Sequence, residues 1–292
     1  MKPNALIYHG LVSRYSTLSI DLEIMRRTGF DGLEISAAKM RDVLAAGFTE
    51  AELAERLRGV SLPGIGFLLD VERHGTDEAD LMADAEDIFR LAGIAGAKGV
   101  QVITGPVQVE AARAFAENRR WSGYAGVLGL PRDEQIAIIS RNMARLADAA
   151  AAHGLLIYLE ALAWLPLNRL SDQLEVIARA DRPNLRLVVD FWHCFASGDA
   201  PEDVARLDPA LIHGVHLCDS RALTGGIPDE AILRDVPTGG GVLQLSEWVD
   251  AVKATGYDGW WSCEMFCRRQ QQDDSFKVAT ELHALMTRLV NG

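Results

Sequence analysis

Residues 185–193, Leu-Arg-Leu-Val-Val-Asp-Phe-Trp-His, decide how this chain is read. An apolar run opened by the Pro183-Asn184 turn ends in the carboxylate of Asp190, and an imidazole follows at His193. A short apolar run bounded by a turn predicts a strand buried on both faces. Asp190 then stands where the strand emerges and His193 in the loop beyond it. Three more segments repeat the pattern: Gly154-Leu-Leu-Ile-Tyr-Leu-Glu160, Leu211-Ile-His-Gly-Val-His216 and Gly259-Trp-Trp-Ser-Cys-Glu264. Three carboxylates brought together resist ionising unless a cation sits among them. Glu160, Asp190, His216 and Glu264 are therefore read as ligands of one divalent metal.

Working outward, strand-like runs fall at about 4–8, 31–35, 64–69, 99–103, 155–160, 185–190, 211–217 and 259–264, and helical patterns lie between them. Thr49-Glu-Ala-Glu52 has the form of a capping box opening a helix through Leu53 and Leu57. Apolar residues recur at helical spacing in 81–92, 136–150, 244–255 and 275–290. Eight alternations of strand and helix predict a parallel sheet closed into one (β/α)8 TIM barrel over residues 1–292. An open doubly wound sheet is disfavoured, because no glycine-rich phosphate fingerprint follows the first strand and because the four acid and imidazole groups must converge. In a barrel the strand C-termini gather at one mouth, where chemistry is found. Two connections, about 105–130 and 219–243, are longer than a crossover needs and are expected to shape that mouth or to make surface contacts.

The chain has 292 residues, 49% hydrophobic and 24% charged, with a net charge of −12. That is ample for a large core, and the acidic balance opposes nucleic acid as a partner, since phosphate-backbone affinity rests on clustered Lys and Arg. Cys194, Cys218, Cys263 and Cys267 show no disulfide-framework spacing and read as small buried apolar residues in a reduced, cytoplasmic protein. No apolar run approaches the roughly 20 residues of a membrane-spanning helix.

Two glutamates, an aspartate and a histidine make an oxygen-rich donor set that suits Mn²⁺, Mg²⁺ or Co²⁺, with positions left for substrate. Neighbouring carbonyl and hydroxyl oxygens of a sugar fit those positions, and the metal would then acidify the adjacent C–H. Gly29-Phe-Asp-Gly-Leu-Glu34, Glu160, Asp190-Phe-Trp-His193, His216-Leu-Cys-Asp219-Ser and Glu264, in that order, resemble the xylose isomerase-like barrels. That family groups sugar isomerases and epimerases with endonuclease IV. The resemblance implies a metal-dependent isomerase or epimerase of a ketose or related keto-sugar. Glu160 and Glu264 would face each other across the sugar and exchange a proton through a cis-enediolate. It also implies that His193 binds a substrate oxygen and that Arg221 is a counterpart of a substrate-contacting arginine.

Two departures keep alternatives open. The ketose 3-epimerases carry a further glutamate after the strand-five ligand, and 161–167 offers none. This admits a dehydratase of a cyclic keto-polyol, of inosose or dehydroshikimate type. An endonuclease IV-like repair enzyme needs histidines that are missing here, and a non-catalytic metal-binding subunit is the blandest reading. Around the four ligands, Glu34 is expected either to orient a neighbour or to touch substrate, and Trp192 to wall the pocket against a sugar ring. Asp219 is a candidate partner of a ligand, His9 and His213 read as structural or surface residues, and a homodimer is the default assembly.

Overall fold

The computed structural model describes residues 1–292. Eight strands run β1 Ala5–His9, β2 Gly32–Ser36, β3 Ile65–Leu68, β4 Gly99–Ile103, β5 Leu156–Glu160, β6 Leu185–Asp190, β7 Ile212–His216 and β8 Trp260–Ser262. They close in sequence order into a barrel, with β8 pairing parallel to β1. The expected fold is therefore the observed one. Register already gathers the site: His9 lies opposite Glu34, Asp190 opposite His216, and His216 opposite Ser262.

Side chains alternate across each strand. Ile7, Tyr158, Val188 and Trp260 point inward and fill the lumen, and the next inward positions on the same strands are His9, Glu160, Asp190 and Ser262. The lumen is thus plugged below a polar layer. Gly214 makes room for that plug, because a Cβ there would fall 2.0 Å from the Trp260 ring. The larger core, 78 buried residues, lies between the strands and the outer helices. No helix is long and apolar enough to cross a membrane.

Three local expectations change. Residues 191–197 form a helix directly after β6, because the Asp190 side chain accepts from the His193 backbone N–H at 2.7 Å and caps it. His193 therefore sits in a helical first turn and not in a loop. β8 ends at Ser262, so Glu264 is delivered by the chain just beyond the strand. The two long connections each contain a short helix, Val109–Ala116 and Glu230–Leu233.

Candidate metal centre

Glu160, Asp190, His216 and Glu264 converge at the C-terminal mouth, each offering a donor atom within 4.8 Å of the others, and all four are buried. From His216 Nδ1 the distances are 3.7 Å to Glu160 Oε1, 3.8 Å to Asp190 Oδ2 and 3.9 Å to Glu264 Oε2. Those are too long for hydrogen bonds, and the buried His216 Nδ1 and Glu160 Oε1 have no partner. Buried polar atoms left this way are rare and call for an explanation.

The surroundings aim the donors. On the far side of the imidazole, His216 Nε2 meets Glu34 Oε2 at 3.0 Å, so the proton belongs on Nε2 and the Nδ1 lone pair faces the centre. Glu34 also accepts from Tyr158 at 2.9 Å and from Ser262 at 2.9 Å. Burial opposes ionisation of Glu34, yet His216 brings its pKa down to about 2. Glu34 is thus saturated and orients His216. Gln101 Nε2 donates to Glu160 Oε2 at 3.1 Å, leaving Oε1 turned inward.

The electrostatics fit a cation. Burial pushes the Glu264 carboxyl well above its ordinary range, with Glu160 and Asp190 adding to it against the pull of Arg234. Although burial opposes it, Glu34 and Glu160 hold His216 well above its usual range. A cation-free cluster therefore keeps protons where a divalent ion would sit, and metal uptake would displace them. Unpartnered inward atoms, three carboxylates and one imidazole with an oriented lone pair together suit such an ion.

The expected substrate contacts divide. His193 is buried in the mouth, its Nδ1 accepting from the Ala163 N–H at 3.1 Å, so Nε2 carries the proton and lies 3.7 Å from Glu230 Oε1. Arg221 is not in the site: its guanidinium is half exposed and binds the Asp235 carbonyl at 2.9 Å. Asp235, which also grips Arg268, draws it outward. The arginine at the cluster is Arg234, brought back by the turn of Glu230–Leu233. Its Nη2 lies 3.3 Å from Asp190 Oδ2, 3.1 Å from Glu264 Oε2 and 2.8 Å from the Glu264 carbonyl. Trp192 is fully buried, with its indole N–H given to Ser220 at 3.2 Å, so it backs the site and does not wall it. Asp219 is no ligand partner either: it accepts from the N–H groups of Gly239, Gly241 and Leu243 and ties down the long loop.

His9 is the residue that sequence reasoning misplaced. It is 4% exposed, and its Nε2 lies 3.6 Å from Glu34 Oε2 and 3.8 Å from Glu264 Oε1. Its Nδ1 accepts from Leu11 N–H at 3.1 Å and burial lowers its pKa to about 3, so it is neutral and presents an unpartnered Nε2–H to the mouth. The signal was available, since His9 ends its strand as His216 does. Arg234 gave none, lying in a loop whose fold is set by tertiary contacts.

Fold and cluster define a (β/α)8 barrel with four buried donors at its mouth that could hold a cation. The chain matches the sequence model of the xylose isomerase-like TIM barrel family over residues 22–287 and belongs to that family. It is 31% identical over 157 residues to a 3-dehydroshikimate dehydratase of Pseudomonas aeruginosa, a match covering 53% of this chain and 23% of that protein. It is 27% identical over 127 residues to an inosose isomerase of Halalkalibacterium halodurans, covering 42% and 44%. The chain thus aligns with less than half of the length of these curated relatives, and they are enzymes. In fold it is similar to the IOLI protein, whose crystal structure holds a zinc atom, with a TM-score of 0.84, 18% identity and 98% of each chain covered. L-ribulose 3-epimerase superposes with a TM-score of 0.70 at 19% identity, covering 99% of this chain and 95% of that one.

Proposed function

We propose that this protein is a divalent-metal-dependent isomerase or epimerase of a ketose or related keto-sugar, working by proton transfer next to a carbonyl. The observation that carries the reading is the four-donor cluster with two glutamates, Glu160 and Glu264, on strands three apart around the mouth. Glu160, Asp190, His216 and Glu264 would hold the ion, with Mn²⁺ the best match to an oxygen-rich set and Mg²⁺ or Co²⁺ next. Such an ion would supply Lewis acidity at a substrate carbonyl and so make the neighbouring C–H easier to deprotonate.

The protein's own groups do the rest. Glu160 and Glu264 approach the substrate carbon from different sides, one taking and the other returning the proton, and their anchoring keeps both within reach. His193 and His9, each fixed as an Nε2–H donor by a backbone N–H on Nδ1, hold substrate oxygens. Arg234 balances the charge of Asp190 and Glu264 and limits their repulsion.

A second reading has its own support. The likeness to a 3-dehydroshikimate dehydratase and the absence of a second carboxylate in 161–167 favour loss of water from a cyclic keto-polyol. Both readings share the first proton abstraction. Incubating the metal-loaded protein in D₂O with ketoses, inososes and keto acids, followed by NMR, separates them. Deuterium incorporation with retained formula supports the isomerase, loss of water supports the dehydratase, and neither on any substrate of these classes overturns both.

A further inference from the structure

A cavity of about 520 Å³ opens beside the cluster, between the loops after β1, β2 and β3, and shares His9 and Glu34 with the site. Its volume falls among cavities that enclose drug-sized ligands, and none of the four donors lines it, so a keto-sugar ring held at the cluster would leave it open. The His9 N–H, buried and without a partner, stands at the junction. Such a donor is satisfied only by something that enters.

The lining decides what that is. Two rings, Phe67 and the 68% exposed Tyr15, offer apolar faces. Several charged groups at the wall are already committed. Lys39 is spent on the Gly10 carbonyl at 3.1 Å, the Ser13 carbonyl at 2.8 Å and Asp21 at 2.7 Å, which fixes the β1 loop as a preformed wall. Arg41 is tied to Asp87 at 2.8 Å. What remains free is one cation, Arg14, and one acid, Asp42. A phosphate or carboxylate would call for clustered cations. A balanced donor and acceptor beside aromatic faces suits a neutral group that carries both hydroxyls and apolar C–H faces.

We propose that the substrate is a keto-glycoside whose second, uncharged sugar ring sits in this cavity, with Arg14 and Asp42 reading its hydroxyls and Phe67 its apolar face. The inference rests on the reading of the neighbouring site as one for keto-sugars. It concerns residues outside the cation cluster and is tested by binding as well as by turnover.

Calorimetry of the metal-loaded protein with maltose, cellobiose and the two methyl glucosides reads the cavity without any chemistry. At least one disaccharide is expected to bind about tenfold or more tighter than its methyl glucoside. In the double variant Arg14→Ala/Asp42→Ala that advantage is expected to shrink to within about twofold while methyl glucoside binding stays unchanged. Equal affinity for disaccharides and methyl glucosides, or an advantage that survives the double substitution in a variant with unchanged melting temperature, overturns the proposal. A disaccharide preference without deuterium exchange into any keto-sugar leaves the subsite standing and sinks the proton-transfer reading. Exchange into free ketoses without disaccharide preference does the reverse.

Discussion

Replacing Glu34 with glutamine tests whether the carboxylate behind His216 tunes the cation site. Glutamine keeps the shape: its carbonyl can still face His216 and Ser262, and its amide can face Tyr158, whose hydroxyl turns to accept. What disappears is the negative charge behind the imidazole. A hydrogen bond to a charged group contributes about 1.5–3 kcal/mol, against about 0.5–1.5 for a neutral one. The His216 bond at 3.0 Å therefore weakens by about 1 to 1.5 kcal/mol. Since about 1.4 kcal/mol is tenfold in an equilibrium constant, metal affinity should fall about tenfold. That agrees with the 10–100-fold typical of losing such a supporting partner. The assay is competition between the protein and a chelating dye for Mn²⁺ at constant pH, with the exposed Glu23→Gln as control. Affinity of the Glu34→Gln protein within about twofold of the parent, in a fully folded sample, refutes the assignment of Glu34 as the group orienting His216. Glu34→Ala differs: it strands Tyr158 Oη, Ser262 Oγ and His216 Nε2, each at about 1–3 kcal/mol, and should lower the melting temperature sharply.

Three other outcomes are expected. Glu264→Gln should retain metal on the other three donors while proton exchange into substrate drops by about 10²–10⁴; full exchange in the loaded variant, read by NMR, ends the two-base scheme. Arg234→Met removes the guanidinium facing Asp190 and Glu264, and loss of one partner of such a buried pair costs about 3–5 kcal/mol. Thermal melts should show that loss mainly without metal, because a bound ion neutralises the same carboxylates. The pKa values of His216 and Glu264 are both raised in the folded state, so their protonated forms stabilise the metal-free protein. That contribution is present at low pH and is lost as pH climbs through the raised values. Chelated protein should therefore melt at falling temperature toward alkaline pH, loaded protein should not, and metal uptake should release protons in calorimetry.

The barrel and its four-donor cluster were legible because both follow from rules local to a strand. An apolar run, a period of two and a polar residue at the strand end are visible at 156–160, 185–190 and 212–216 without knowledge of neighbours. His9 obeys the same rule, ending β1 as His216 ends β7, but its approach to Glu34 and Glu264 depends on closure of the barrel, which no spacing shows. The helix at 191–197 was hidden because its cap is Asp190, a residue already read as a ligand; one carboxylate serves both ends of that argument. Arg234 was illegible for a different reason. It lies well beyond the end of β7, and its position depends on Asp219 holding the backbone of 239–243 and on the turn at Glu230, contacts that no spacing encodes. Arg221, nearer the strand, was the natural choice until Asp235 is seen to draw it outward.

The division of labour around the mouth says where a reaction could diverge among barrels of this kind. Strands β5 to β7 and the chain just beyond β8 bring the four donors, and β1 and β2 bring His9, 3.8 Å from Glu264, and Glu34, which meets the centre through His216. All of this is built at strand ends or within two residues of them. Glu230 and Arg234, in contrast, stand on a short helix within a long loop, with Glu230 3.7 Å from His193 and 2.8 Å from Arg234. Burial raises the Glu230 pKa against the pull of Arg234 and His193. If His193 holds a substrate oxygen as proposed, a carboxylate so placed would lie beside that oxygen. On the proposed reading, the group that the loop places next to that oxygen would decide whether the abstracted proton is returned or a hydroxyl departs, while the barrel would set proton abstraction itself. One scaffold can accordingly keep its first step and change its product by altering residues 219–243 alone, and this loop is where isomerase and dehydratase should be told apart.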